Sequence, residues 1–407
     1  LAWRLIKRKE EQKMRNARQF YSGCIGFTLI AVLVLCGTVE WGAAQDVIKF
    51  GTSVTLSGPG AVWGVPNYRA VEMQFEEFNK AGGIKLRGKT YTFKQIAMDN
   101  KYTPEDSLAV ATRLIVEEKV KYFNPSGGVP TLASLPVSNK YKVITLSGGY
   151  GKGIVSPDNP YLFRVDPTAV EFAPGTWKLV HEKYPTIHRR VGVSPNNDVG
   201  WASAPASEKA AKSFGIETVA PQEYIDISGI EFSSLLLKLL KEKPDIIDCA
   251  TTPGRVFALL VKQARELGYT GKIINVGIGD PNVVLEKAGK EGAEGVIFPT
   301  IFGEPLPPQV AAWKKKYEAR WGEWNPISLN FSIYADSLMS CLKAANSIDV
   351  DKVKAAMENP KFRVNSTIFG LSHFWGKKYY GINHQLLHPI PVSEIHDGKL
   401  LFLGMGL

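Results

Sequence analysis

The chain has 407 residues, 44% hydrophobic and 22% charged, a globular composition too long for one ordinary core and too apolar for a disordered chain. Lys and Arg number 49 against 39 Asp and Glu, for a formal net charge of +10. No basic run is long, and Lys314-Lys315-Lys316 reads as a solvated helix face rather than a nucleic-acid patch, so no nucleic-acid partner is expected.

Residues 1–45 read as a signal peptide and upstream extension. Met14 offers a start, Arg15 and Arg18 a basic flank, and residues 25–37 (IGFTLIAVLVLCG) a compact apolar run. That run is shorter than the roughly 20 residues that span a bilayer. Gly42-Ala43-Ala44 supplies the small residues of a cleavage site, placing cleavage near residues 44–46. Cys36 leaves lipid anchoring as an alternative, although Leu35 is larger than the residue that normally precedes a lipidated Cys. Cys249 lies in an apolar strand-like run and Cys341 in a helical one, which points to two buried thiols rather than a disulfide or a metal site.

Residues 48–83 organise the remainder of the chain. A short alternating apolar run predicts a strand, and residues 53–66 a loop rich in Gly, Ser, Thr and Pro. Ala70, Val71, Phe75 and Phe78 then recur at helical spacing, and Gly82-Gly83 stops the helix. A loop feeding a helix N-terminus offers free N–H groups and a positive dipole end, which suit an anion. Trp63 sits mid-loop, where facing a ligand is more natural than filling a core.

Strand and helix then alternate. Strands are predicted at 91–98, 120–124, 142–146 and 161–165, with helices opening at Thr103-Pro104-Glu105-Asp106 and around 132–139. A second series runs helix 170–183, strand 190–194, helix 204–214, strand 218–224, helix 232–241, strand 245–250, helix 256–267 and strand 272–277. Residues 296–298 return the chain to the first series, helices 308–319 and 332–345 come next, and a hairpin turns at Asp397-Gly398. This order predicts an α/β fold of two doubly wound parallel-sheet lobes joined by a three-crossover hinge. Residues 46–166 plus 300–388 form lobe 1, and residues 167–299 plus 389–407 form lobe 2. The crossings fall near Val165-Asp166, Pro299-Thr300 and His388-Pro389.

No HExxH, GxSxG or GxxxxGK[ST] occurs, and no cofactor or metal is implied. Open α/β sheets gather ligands on the loops at the carboxyl ends of their strands. In lobe 1 those loops carry Trp63, Ser126-Gly127-Gly128 and Ser147-Gly148-Gly149-Tyr150; in lobe 2 they carry Asp198, Trp201, Thr251-Thr252 and Asp280. Glycines there let backbone N–H groups approach an anionic oxygen, Ser147 adds a hydroxyl, and Tyr150 a flat face with a polar tip. The plainer reading is an ordinary turn for each glycine and a contact between lobes for each Trp.

Ser57-Gly58-Pro59, Ala61, Gly64 and Asn79-x-Ala81-Gly82-Gly83-Ile84 resemble the opening unit of periplasmic ligand-binding proteins of the leucine/isoleucine/valine type. These are the solute-capturing components of ABC importers, and the resemblance spans about residues 46–400. It implies a monomeric type I periplasmic binding protein, not an enzyme. Its ligand is an amino acid or a related small carboxylate or amide, and its partner an inner-membrane ABC permease. By the same resemblance Trp63 lies against the ligand side chain, while 126–128 and 147–149 bind its α-carboxylate. Val199 and Thr252 fall near further contacts. The acid that pairs with a ligand ammonium should stand near Ile278, and Asp280 is the nearest carboxylate, two residues off. That departure leaves aromatic and other amine-free acids open beside amino acids. The rival readings are an exported sensor domain and an exported hydrolase using the same cleft. The hydrolase would need a nucleophile with a base in reach, and no His stands near these loops.

Overall fold

The computed structural model describes residues 46–58, 60–151 and 153–406, together with Gln12. Met14, Cys36, Gly42-Ala43-Ala44 and the apolar run of the signal segment lie outside the described residues. The unit Val47–Leu407 contains both sheets.

β1 (Asp46–Val54) is buried along its whole second half, as expected of a strand covered on both faces. Helix α1 (Ala61–Lys80) begins earlier than the apolar spacing predicts, so Trp63 lies in its first turn rather than in a loop. Gly64 is the reason. A Cβ there would sit 1.8 Å from the Thr55 carbonyl oxygen, so its absence lets the first turn press onto the chain leaving β1. Pro66 stands inside the helix and removes one donor. A hairpin comes next, β2 (Ile84–Leu86) and β3 (Lys89–Asp99). Thr103 caps α2 (Pro104–Thr112), accepting from Asp106 N at 3.1 Å, as its Thr-Pro-Glu-Asp start predicts. Then come β4 (Tyr122–Pro125), α3 (Gly128–Lys140), β5 (Ile144–Ser147) and β6 (Leu162–Arg164).

The second series opens with α4 (Ala169–Lys183) behind a capping box of Thr168 and Glu171. It continues through β7 (Arg189–Pro195), α5 (Asp198–Ser213), β8 (Glu217–Thr218), β9 (Glu223–Ile225), α6 (Ser233–Leu240) and β10 (Ile246–Asp248). It ends with α7 (Gly254–Glu266), β11 (Lys272–Ile274), α8 (Pro281–Gly292) and β12 (Val296–Pro299). The single strand predicted at 218–224 is therefore two short pieces, interrupted around Pro221. Helix α8 goes beyond the sequence reading, as do several elements of the next stretch. That stretch holds α9 (Pro308–Trp321), α10 (Ser328–Ala345), α11 (Val350–Met357), β13 (Val364–Ser366), β14 (Gly370–Trp375), α12 (Lys377–Tyr380) and β15 (Gln385–Leu387). The chain closes on the hairpin β16 (Ile390–His396) and β17 (Lys399–Gly406), turned by Asp397 and Gly398, both at positive φ.

Two sheets result. The first has the order β13-β14-β15-β6-β5-β4-β1-β3-β2, and the second β17-β16-β12-β11-β10-β7-β8, with β9 also on β7. Within them β1, β4, β5 and β6 are parallel neighbours, and so are β7, β10, β11 and β12. Strands β1 to β6 belong to the first sheet, β7 to β12 to the second, β13 to β15 to the first again, and β16 and β17 to the second. The chain thus passes between sheets three times, as a two-lobed α/β fold of this type requires. Helix α10 is buried along most of its length and packs on α1. Phe50, Phe75 and Phe93 fill the core beside them, with ring centroids 5.5 and 5.2 Å apart. In the second lobe Phe172, Trp177, Ile246, Ile274 and Val392 belong to one buried cluster. Cys249 and Cys341 are both free and buried.

Candidate functional site

Parallel pairing aligns the carboxyl ends of the strands, so residues distant in sequence come to one edge. In the first sheet Ser53 stands opposite Pro125 and Ser147 opposite Arg164. Ser126 N donates to Ser53 O, and Val165 N to Ser147 O, both at 2.9 Å. The loops after β1, β4, β5 and β6 therefore share one edge. In the second sheet Cys249 N donates to Ile274 O at 2.7 Å and Thr251 N to Val276 O at 3.2 Å, which joins the loops after β10 and β11.

The first-lobe residues divide by role. Ser126 is buried, while Gly127 and Gly128 are half-buried at the start of α3. No side chain caps α3; Pro130 has no N–H and Thr131 N donates to Gly127 O at 3.2 Å, so the first turn offers an acceptor the N–H groups of Gly128 and Val129. A Cβ on Gly128 would meet nothing closer than Tyr150 N at 3.9 Å. Ser147 is more committed than its sequence suggests. Its hydroxyl lies 2.7 Å from Thr131 Oγ1 and accepts from Gly149 N at 2.9 Å, so it shapes the loop from within. The Gly149 amide accordingly points at Ser147. Trp63 is 39% exposed. Tyr150 packs against the apolar cluster of the second lobe, and its burial, with the Asp166 and Glu171 charges, raises its phenol pKa.

In the second lobe Asp198 is the exposed first residue of α5, behind its cap Asn197, and Val199 stands next to it. Trp201 is 56% exposed, its indole N–H donating to Asn196 Oδ1 at 3.1 Å. Thr251 takes a positive φ and donates to Ala250 O at 2.7 Å. Thr252 is buried and its hydroxyl has no partner among the described residues. Asp280 caps α8, accepting from Asn282 N at 2.9 Å, with Pro281 as the first helical residue. A structural task thus accounts for the nearest carboxylate to Ile278.

Four further residues stand at or against these loops, from both sheets and from α12. Asn275, after β11, donates through Nδ2 to Thr252 O at 2.8 Å, and its Oδ1 has no partner among the described residues. Arg164 is buried; it donates to Gly149 O at 3.2 Å and to Gln385 Oε1, with its guanidinium 5.0 Å from the Tyr380 ring centre. Tyr380 donates to Glu171 Oε1 at 2.7 Å, so this chain of contacts ties the β5 loop to the first and third passages. Asp166, two residues beyond β6, accepts from Tyr334 Oη at 2.8 Å through Oδ2. Burial pushes its pKa up to about 7, against the opposing pull of the Tyr334 hydroxyl and the Arg164 charge. The Asp-Pro pair hints at a boundary at 166. Tyr334 reaches it from α10, which no local spacing could show. Among the described residues no cluster of side chains is suited to hold a metal.

Known proteins share this architecture. The model of the periplasmic binding protein family matches residues 47–399. The chain is 25% identical over 406 residues to Leu/Ile/Val-binding protein homolog 8 of Brucella abortus, covering 95% of this chain and 96% of that protein. Among solved structures it resembles LivJ, a branched-chain amino acid transporter substrate-binding protein of Streptococcus pneumoniae, in complex with isoleucine. The TM-score is 0.68 at 20% identity, over 87% of this chain and 98% of the other. It also resembles an ABC transporter solute-binding protein of R. palustris in complex with 4-hydroxybenzoate, with a TM-score of 0.68 at 19% identity, over 88% and 95%. The chain therefore belongs to the periplasmic binding protein family: it is a binding protein and not an enzyme.

Proposed function

We propose that this protein is the extracytoplasmic solute-binding component of an ABC importer. It captures a small amino acid or a related carboxylate between lobe 1 (46–166 plus 300–388) and lobe 2 (167–299 plus 389–407), and it presents the solute to a membrane permease as a monomer. The observation that carries this reading is the pairing of two parallel sheets through three passages, each with an edge of loops at its strand ends. Open α/β sheets bind ligands at such edges. The relatives named for leucine, isoleucine and valine, and the neighbours holding isoleucine or 4-hydroxybenzoate, support a ligand of this size.

The open N–H groups of α3 and the loops 126–128 and 147–149 receive the carboxylate. Ser147 holds the shape of that loop. Trp63 and Trp201 flank the solute from the two lobes, beside Gly127, Gly128, Gly148, Tyr150, Thr251 and Thr252. Solute touching both lobes favours the closed arrangement by the difference in its affinity for the two states. Asp198 and Asp280 act here as helix-start residues. A thermal-shift screen of amino acids, aromatic acids and amides tests the reading, with small-angle scattering of the liganded protein. A ligand that raises the melting temperature and reduces the radius of gyration is expected. A ligand bound without compaction would exclude capture by closure.

A further inference from the structure

Asp166 is 7% exposed, and only one of its carboxylate oxygens has a donor. Oδ2 accepts from Tyr334 Oη, while Oδ1 has no partner among the described residues. The backbone is fixed, because Asp166 O accepts from Gln385 Nε2 at 3.1 Å. The carboxyl lies against Gly148, a half-exposed residue of the cleft edge; a Cβ there would stand 2.2 Å from Oδ2 and 2.4 Å from Tyr334 Oη. The nearest cation, Arg164, directs its own bonds to Gln385 and to Gly149 O. A buried carboxylate with an unpartnered oxygen and no bonded counter-charge is costly, and proteins keep such groups where a ligand completes them. Of the other acids on these loops, Asp280 caps a helix and Asp198 is exposed.

We propose that Asp166 Oδ1 accepts the ammonium group of the solute, which makes the ligand an amino acid rather than an amine-free acid. The inference rests on the solute-capture reading above. The carboxylate of the solute goes to the α3 N-terminus and its ammonium to the base of the β6 loop, so one lobe reads both ends. The groups facing Asp166 are Tyr334 from α10, Arg164 from β6 and Tyr150 from the β5 loop. None of them supplies the missing donor to Oδ1. Because burial holds the free carboxyl near a pKa of about 7, an arriving ammonium ejects the proton that the empty site carries part of the time.

The test is calorimetric titration of the protein near pH 7. The probes are L-isoleucine and L-phenylalanine, their amine-free counterparts 3-methylpentanoate and 3-phenylpropionate, and 4-hydroxybenzoate. An amino acid should bind on the order of 30-fold or more tighter than its counterpart. Its heat should depend on the ionisation enthalpy of the buffer, reporting proton release. Asp166→Asn should bring the pair to within roughly threefold of each other, since the neutral amide no longer rewards the positive charge. Should that variant fail to fold, the wild-type ratio and the proton release still decide. Binding of amine-free acids alone would overturn the ammonium site while leaving solute capture standing. Amino-acid binding without proton release, or an unchanged ratio in Asp166→Asn, would overturn it too. No binding by any probe would overturn the capture reading, and this inference with it.

Discussion

Arg190 and Asp248 meet with no solvent on either side chain: Arg190 Nε donates to Asp248 Oδ2 at 2.9 Å, and Nη2 lies 2.8 Å from the same oxygen. The pair joins β7 to β10, next to the β8 edge of the second sheet. Ser207 also donates to that oxygen at 2.6 Å and accepts from Trp177 Nε1 at 2.8 Å, so the ion pair anchors α4 and α5 as well. Asp248→Ala should cost about 3–5 kcal/mol, because it strands a buried guanidinium. Replacing both residues with apolar side chains of similar volume should recover most of that loss. Urea midpoints of the single and double variants check the pair.

The two half-site glycines should behave oppositely. Gly148→Ala puts a methyl group on the Asp166 carboxyl and the Tyr334 hydroxyl, and should abolish ligand binding with a lowered melting temperature. Gly128→Ala should leave the fold intact, since the nearest atom to a methyl there is Tyr150 N at 3.9 Å, an ordinary contact with no clash. Thermal melts and titration with the best ligand of the screen separate the two.

Stability of the ligand-free protein should respond to pH through opposed groups. Asp166 is pushed up to about 7 by burial, above the ordinary carboxylate value, so the folded state holds a proton there that the unfolded state gives up. Its stabilising effect is complete below about pH 4 and is lost as pH rises through about 7. His388 is pushed down to about 4 by burial, against the bond its Nδ1 makes to Pro389 O, so it acts in the other direction. Its effect is complete above about pH 6.5 and is lost as pH falls through about 4. Asp166→Asn should therefore raise stability by about 2 kcal/mol at pH 8 and flatten the decline between pH 4 and 7. His388→Gln should flatten the acid-side loss instead. Denaturant unfolding across this range gives both slopes.

Asp280→Ala should cost about 1 kcal/mol of stability through loss of the α8 cap, while leaving ligand affinity nearly unchanged. A loss of binding without a loss of stability would return Asp280 to the cleft. Trp63→Ala and Trp201→Ala, at exposed positions, should leave the melting temperature of the free protein alone and weaken binding about tenfold.

The alternation of strands and helices is legible in the sequence because both faces of each sheet are covered, so buried strands read as short apolar runs between turn signals. The Thr103 cap and the Asp397-Gly398 turn are legible for the same local reason. Where tertiary contact overrides local preference, the sequence misleads. Gly64 and Pro66 look like loop residues, yet Gly64 sits in a helix because only a missing Cβ lets α1 meet Thr55. Asp280-Pro281 carries a helix-start signal that the structure uses as a cap, and a ligand position would carry the same signal, because both uses place a carboxylate at a strand end. Asp166 and Tyr334 lie 168 residues apart and meet only once α10 is in place, so their juxtaposition has no sequence signature.

The third passage also sets the order in which the molecule can be finished. β6 remains an open edge until β15 arrives beside it, and β12 remains open until β16 does. Both partners lie beyond residue 384. A nascent chain therefore cannot cover β6 or β12 before residues 385–396 are synthesised. Until then both lobes keep exposed strand edges, and truncation from the C-terminus should damage the two together rather than one at a time.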